Sequence, residues 1–247
     1  MDPIILIPAR LGSKRLPNKV LSDIAGKSLI SRIYTEAKNL GWEVKVVGDN
    51  LKILNHLMLN RISLGFDLTD FIHVPEQTNN GTERCLIGAR KTGLIDNKDA
   101  HFIIWQADEL ISFKYVKTFF QQCIEAGTNV GNILKISTRE EQEDFNQVKA
   151  RVENANIIEF FHRIPCKTDF SQIGIYYHSW WSLLEYGFTL SILEQATKVE
   201  LNRLISQGKI IYGHIIDYDA DRQKVDTPDD RSKLVRKVTT CPDFPSQ

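Results

Sequence analysis

The chain of 247 residues is poor in the features that mark several common classes of protein. Its four cysteines, Cys85, Cys123, Cys166 and Cys241, stand far apart with no C-x-x-C pair, which argues against a zinc or dithiol centre and for a reduced protein. No apolar run approaches the about 20 residues that span a bilayer, and no charged leader opens the sequence, so a soluble cytoplasmic protein is expected. Neither charge is in excess: 31 Lys and Arg balance 31 Asp and Glu. No whole-molecule field draws such a chain to nucleic acid or to an anionic membrane, and neither is expected as a partner. Repeats and low-complexity tracts are absent, and only Thr239 to Gln247 reads as a loose tail.

What is present is concentrated near the start. The apolar run Ile4-Ile5-Leu6-Ile7 leads into Pro8-Ala9-Arg10-Leu11-Gly12-Ser13-Lys14-Arg15-Leu16-Pro17-Asn18-Lys19, a loop with four cations. Four apolar residues in a row suit a strand buried on both faces of a parallel sheet, and open α/β sheets bind ligands beyond the carboxyl ends of such strands. Gly12 permits close backbone approach, and Pro8 and Pro17 limit the entropy lost when the loop closes on a ligand. Either these cations surround a small anion or they form a solvated basic turn.

Strand and helix patterns alternate along the first half. Leu29, Ile30, Ile33, Tyr34, Ala37 and Leu40 recur at helical spacing and stop at Gly41. Strands are expected at Glu43 to Val47 and His101 to Trp105, and helices at Leu51 to Leu59, Glu83 to Lys91 and Phe113 to Ala126. This order predicts a parallel sheet covered by helices within one domain spanning residues 1–247. From about 130 to 190 the pattern changes to short strands (Val148 to Val152, Ile157 to Phe161, Gln172 to Tyr177), read as a mixed-sheet insertion that walls a cleft. A strand at Ile210 to Ile216 and a helix from Pro228 to about Lys237 complete the chain.

Two carboxylates stand where a cation for phosphate chemistry would be held. Asp108 follows the apolar strand His101 to Trp105 and projects toward the crevice beside the first loop, unless it merely caps the next helix. Asp226 precedes Thr227-Pro228-Asp229-Asp230, in which Thr227 suits an N-cap, Pro228 the first helical position and the aspartates the positive end of the helix dipole. On local sequence alone Asp226 is a plain helix-entry residue. His56, His73 and His101 lack ligand-like spacing. His162 is a lone histidine, Glu140 to Asp144 reads as an exposed helix face, and Trp180-Trp181 with Leu183 and Leu184 reads as packing or a dimer surface, since no basic cluster surrounds it.

The loop Ile7 to Lys19 resembles the IPAR-x-x-S-x-R-L-P-x-K segment of the 3-deoxy-manno-octulosonate cytidylyltransferases, the CMP-KDO synthetases. Asp23-Ile24-Ala25-Gly26-Lys27-Ser28-Leu29-Ile30 is similar to their D-I-x-G-K-x-x-I. Asn80-Gly81-Thr82-Glu83-Arg84 is similar to S-G-T-[DE]-R with Asn80 for serine, and Val225 to Asp230 to V-D-T-P-[ED]-D. The resemblance implies a Rossmann-like nucleotide-diphospho-sugar transferase (GT-A-like) α/β fold, with a mostly parallel sheet and a mixed-sheet insertion for sugar binding and dimerisation. It implies a homodimer that uses CTP, a sugar acid and Mg2+.

Residue by residue, it places Ala9, Arg10, Gly12, Ser13, Arg15, Lys19, Asn80, Gly81 and Gln106 around the nucleotide, with Lys19, on a solvated loop, and Arg10 acting on the leaving phosphates. Asp108 and Asp226 would bind the metal together. Lys14 matches no family position and is expected to be a solvated charge. In Trp105-Gln106-Ala107-Asp108-Glu109-Leu110, alanine and leucine replace a glycine and a proline of the family, which puts the position of Gln106 in question. For the sugar, the resemblance points to Gln106, Arg163, Gln172, Tyr176, Glu200 and Leu201, with Gln172 replacing a histidine and Leu201 a glutamine. An altered sugar acid follows as an expectation. A core Tyr176 and an Arg163–Glu159 pair are the structural alternatives. A sialic-acid-like acceptor or a non-catalytic nucleotide-binding relative are the functional ones.

Overall fold

The computed structural model describes residues 1–161, 169–216, 222–241 and 244. Nine strands form one sheet: β1 (Ile4–Ala9), β2 (Glu43–Gly48), β3 (Phe71–His73), β4 (His101–Trp105), β5 (Val130–Ile136), β6 (Lys149–Glu153), β7 (Asn156–Phe161), β8 (Phe170–Ser179) and β9 (Ile211–Ile216). Their order across the sheet is β3-β2-β1-β4-β8-β5-β9-β7-β6. β1 runs parallel to β2, with Ile4 opposite Glu43, and to β4, with Ile4 opposite Phe102.

The apolar runs are continuous because both faces of these strands are buried. Ile5, Ile7, Ile103 and Trp105 enter one core, and Leu6, Phe102 and Ile104 enter the other, as the two-residue period of a strand requires. The first core is covered by α1 (Leu29–Lys38), α2 (Leu51–Leu59), the later α4 (Phe113–Glu125) and the C-terminal α8 (Pro228–Thr240). The second is covered by α3 (Gly81–Lys91), α5 (Trp180–Tyr186) and α7 (Asn202–Ser206), with α6 (Ile192–Thr197) beside α7. Several of these helix starts carry a side-chain cap against fraying. Ser28, Asn50 and Asn80 accept backbone N–H groups of the first turns of α1, α2 and α3, and Thr227 and Asp230 form a reciprocal box on α8.

Strands β3, β2, β1 and β4 run parallel, as expected of the first half of the chain, and the sheet becomes mixed from residue 130 onward. β8 lies antiparallel between β4 and β5, with Tyr177 opposite both Ile103 and Gly131. Within residues 130–190, β5 and β8 are central strands of the same sheet, and the β6–β7 hairpin extends its edge. Five short strands escaped the sequence reading. One is β3; the others pair as two-stranded ribbons, Asp23–Ile24 with Lys27–Ser28 and Glu109–Ile111 with Arg222–Lys224. Strands this short make too brief a pattern for a two-residue period to show. α8 also continues to Thr240, into the segment expected to be a loose tail.

Candidate active site

From β1 the chain turns first to β2 on one side and later returns as β4 on the other, so a crevice opens beyond their carboxyl ends. The chain leaving β1 is pinned at its base. Asp49 donates its N–H to the Ala9 carbonyl at 3.2 Å and accepts the Leu11 N–H on Oδ1 at 3.2 Å. Ser13 N–H turns back to the Leu11 carbonyl at 2.8 Å, and Asn18 takes a left-handed conformation (φ 53°) that starts a short 3-10 turn at Lys19. That turn sends the Lys19 side chain inward.

Asp108 and Asp226 meet there. The ribbon Glu109–Ile111 with Arg222–Lys224 joins the two segments, extended by Val225 N–H donating to the Asp108 carbonyl at 2.9 Å. Asp230 Oδ2 accepts the N–H groups of Asp226 and Thr227 at 3.0 and 2.9 Å, so the helix start aims Asp226 into the cleft. Lys19 Nζ spans both carboxylates, at 2.7 Å from Asp108 Oδ2 and 2.9 Å from Asp226 Oδ1. Burial opposes charge on Lys19 and on Asp226, but attraction outweighs it. Asp108 and Asp226 raise the Lys19 pKa, while Lys224, Lys19 and Arg15 hold the Asp226 carboxyl well below the usual carboxylate range. The side chain of Lys19 is only 12% exposed, so it is not the solvated loop residue the sequence suggested.

The cleft has a volume of about 580 Å³, within the range of sites that enclose small molecules. Arg10, Gly12, Ser13 and Arg15 line it, as does the exposed Lys14; Ala9 forms its floor. Arg15 reaches across, donating Nη1 to Asn146 Oδ1 at 2.6 Å and pairing with Asp226 Oδ1 at 3.1 Å. Gln106 sits centrally. Its N–H donates to the Gly174 carbonyl at 2.9 Å, and its Nε2 donates to Glu200 Oε1 at 2.7 Å, so the Ala107 and Leu110 replacements leave it facing the cleft.

Asn80 lines the cleft but is engaged at both ends: Oδ1 accepts the Glu83 N–H at 2.8 Å, and Nδ2 donates to Tyr186 Oη and Glu194 Oε1, both at 2.7 Å. It stands as the cap of α3 and not as a free reader of a base. Glu200 accepts the Thr82 N–H on Oε2 at 2.9 Å and the Tyr176 hydroxyl, and desolvation raises its pKa. Tyr176 is 5% exposed with its hydroxyl satisfied there, which joins the core alternative to a place on the cleft wall. Gln172 faces the cleft, and its Nε2 has no hydrogen-bond partner among the described residues. Leu201 departs from expectation. It is fully buried in the second core, behind the wall, because α7 turns its apolar side inward. Arg163 and His162 lie outside the described residues, and Glu159 pairs with Arg151 at 2.8 Å.

Two contributors were missed. Lys224 Nζ pairs with Asp226 Oδ2 at 3.2 Å, and the i, i+2 spacing of an extended segment was a readable signal for it. Asn146 comes from a distant loop and carried none.

Parallel strands feeding a cationic loop, with two carboxylates at the switch point, define a nucleotidyltransferase of the nucleotide-sugar type. Solved structures share that fold. CMP:2-keto-3-deoxy-manno-octonic acid synthetase complexed with CTP superposes with a TM-score of 0.79 at 24% identity, over 96% of this chain and 99% of that one. UDP-glucose pyrophosphorylase complexed with UDP-glucose gives 0.73 at 17% identity, over 97% and 99%. A family profile described as cytidylyltransferase matches residues 4–223. The 3-deoxy-manno-octulosonate cytidylyltransferase of Helicobacter pylori (strain P12) is 30% identical, over 94% of this chain and 96% of its own length. That of Francisella tularensis subsp. novicida (strain U112) is 30% identical over 83% and 86%. The chain belongs to the cytidylyltransferase family.

The resemblance implies Mg2+, and the donor set fits it. Among the described residues no cluster of three His, Cys, Asp or Glu is formed, but Mg2+ is commonly held by one or two carboxylates with substrate phosphates and water completing the shell. Asp108 and Asp226 already converge on one cation, the Lys19 ammonium.

Proposed function

We propose that the protein transfers the cytidylyl group of CTP to 3-deoxy-manno-octulosonate or a closely related 3-deoxy-ulosonic acid, releasing pyrophosphate. The observation that carries this reading is the convergence of Lys19, Asp108 and Asp226 beneath the β1 loop. The relatives' activity supports the choice of CTP and of an ulosonic acid.

The reaction needs no protein nucleophile. The anomeric hydroxyl oxygen attacks the α-phosphorus in line and gives up its proton to water; a new P–O bond forms, the bond from the α-phosphorus to the bridging oxygen breaks, and pyrophosphate leaves with that oxygen. Arg10, Arg15 and Lys19 neutralise the charge that builds on the departing pyrophosphate, a role that position and electrostatics fulfil. Arg15 is held for it by Asn146 and Asp226. Mg2+, held by Asp108 and Asp226, would supply a Lewis acid for the phosphoryl oxygens. Gln106, Gln172 and Tyr176 line the same cleft, which supports assigning them to the sugar acid.

No helix among the described residues is long and apolar enough to cross a membrane, which accords with a cytoplasmic site of action. A homodimer is part of the same reading. Trp181, Phe188 and Ile192 are 50%, 43% and 87% exposed along the Trp180 to Leu193 segment, more apolar surface than a solvated segment needs. Sedimentation at micromolar concentration checks it; a monomer would count against it.

The test of function is pyrophosphate release with CTP over a panel of ulosonic acids, with Mg2+ and after chelation. Release with CTP and one ulosonic acid that stops on chelation is expected. No release with any member of the panel would overturn the proposal.

A further inference from the structure

We infer that Glu200 is a positioning residue that fixes the Gln106 carboxamide with its oxygen toward the cleft, where that oxygen accepts a hydrogen bond from a substrate hydroxyl or amino group. The inference rests on the cytidylyltransferase reading for the identity of the substrates, though not for the orientation itself.

The carboxylate of Glu200 is occupied by the protein. Oε2 takes the Thr82 N–H at 2.9 Å, Oε1 takes Gln106 Nε2 at 2.7 Å, and the Tyr176 hydroxyl adds a third donor. A carboxylate only accepts, so the amide nitrogen of Gln106 must be the atom that faces it. The amide oxygen then points the other way, with no protein partner among the described residues, on a side chain that lines the cleft. Close packing fixes the rest of the side chain. A Cβ at Gly81 would come within 2.8 Å of both carboxamide atoms, and one at Gly174 within 3.0 Å of Gln106 Cβ. Two glycines thus make the slot, and Glu200 decides which way round the amide lies in it. Glu200 itself borders the cleft, but three protein donors hold its carboxylate, and it serves the substrate through Gln106.

The decisive variant is Glu200→Gln, which keeps size and shape. Thr82 N–H still demands an oxygen, so the new amide nitrogen faces Gln106, which must turn its oxygen inward and its nitrogen to the cleft. A ligand donor then meets a donor. The KM of the substrate concerned is expected to rise about tenfold, the loss of one hydrogen bond, with the thermal midpoint nearly unchanged. Measuring KM separately for CTP and for the sugar acid tells which substrate supplies the donor. In the Gln106→Met background, Glu200→Gln is expected to add less than twofold. Costs that multiply in the double variant would overturn the inference, since Glu200 would then act independently of Gln106. A readout without substrate separates this from failure of the functional reading. The side-chain amide protons of Gln106, identified by their loss in Gln106→Met, should exchange with water at least tenfold faster in Glu200→Gln. Equal exchange in the two proteins would also overturn it.

Discussion

Lys19→Met removes the ammonium and keeps most of the stem, which makes it the sharpest probe of the site. In the structure Nζ stands 2.7 Å from Asp108 and 2.9 Å from Asp226. A cation aimed at charge that develops in the transition state is worth about 2 to 4 kcal/mol. At about 1.36 kcal/mol per decade, kcat should fall roughly 30- to 900-fold. Folding should suffer far less. Asp226 keeps Arg15 at 3.1 Å and Lys224 at 3.2 Å, and Asp108, a quarter exposed, can recover water. A cost of no more than about 2 kcal/mol is expected, near that of one hydrogen bond to a charged group. Pyrophosphate release at saturating CTP and sugar acid reads the first number, and urea unfolding reads the second. Activity within twofold of the parent would remove Lys19 from the phosphates. A folding loss that matched the activity loss would make it a structural clamp.

Other outcomes follow from the same geometry. Arg203→Met should destabilise the protein by about 3 to 5 kcal/mol in urea, because it strips the cation from Glu194 (2.6 Å) and Glu83 (3.6 Å) in a buried cluster stacked on Tyr186; a loss under about 1 kcal/mol would contradict that. The depressed pKa of Asp226 contributes stability that is present above the unfolded value of about 3.9 and is lost as pH falls toward the folded one, so Asp226→Asn should flatten the acid limb of a plot of melting temperature against pH. The raised pKa of Lys19 has the opposite sense: its contribution is complete below about 10.4 and disappears as pH rises further, so Lys19→Met should flatten the alkaline limb. Gln172→His alone should shift the kcat/KM ratio toward 3-deoxy-manno-octulosonate relative to an analogue lacking a hydroxyl; an unchanged ratio would mean that this position does not read the sugar.

The cationic half of the cleft was legible because its signals are contiguous. An apolar run buried on two faces announces a central strand, the cations follow within a dozen residues, and Thr227-Pro228-Asp229-Asp230 carries the whole grammar of a helix start, down to the reciprocal bonds found between Thr227 and Asp230. What joins these pieces was not legible. Lys19 reaches Asp108 and Asp226 across 89 and 207 positions of chain, and no local pattern encodes such a pairing. β8 could not be placed between β4 and β5 for the same reason, since a strand's period reports which faces are buried and not which neighbours it has.

The other half of the cleft, proposed above for the sugar acid, is built almost wholly from such distant pairings, and that decides how its substitutions should be read. Glu200 meets Thr82 from 118 positions away and Gln106 from 94, so a motif match at Glu200 says little about whether its oxygens are free for a sugar. Leucine in place of glutamine at Leu201 looked like a loss of sugar contact, yet that side chain lies in the second core, where a glutamine would bury an amide among apolar neighbours. The replacement at Gln172 is different in kind. Its Nε2 lies buried at the cleft wall without a hydrogen-bond partner among the described residues, a state that costs about 1 to 3 kcal/mol until something accepts from it. A ligand acceptor there recovers that cost, whereas an apolar wall would have nothing to recover. Of the two replaced positions, Gln172 is therefore the one we propose to read the sugar acid, whereas Leu201 packs in the second core behind the wall.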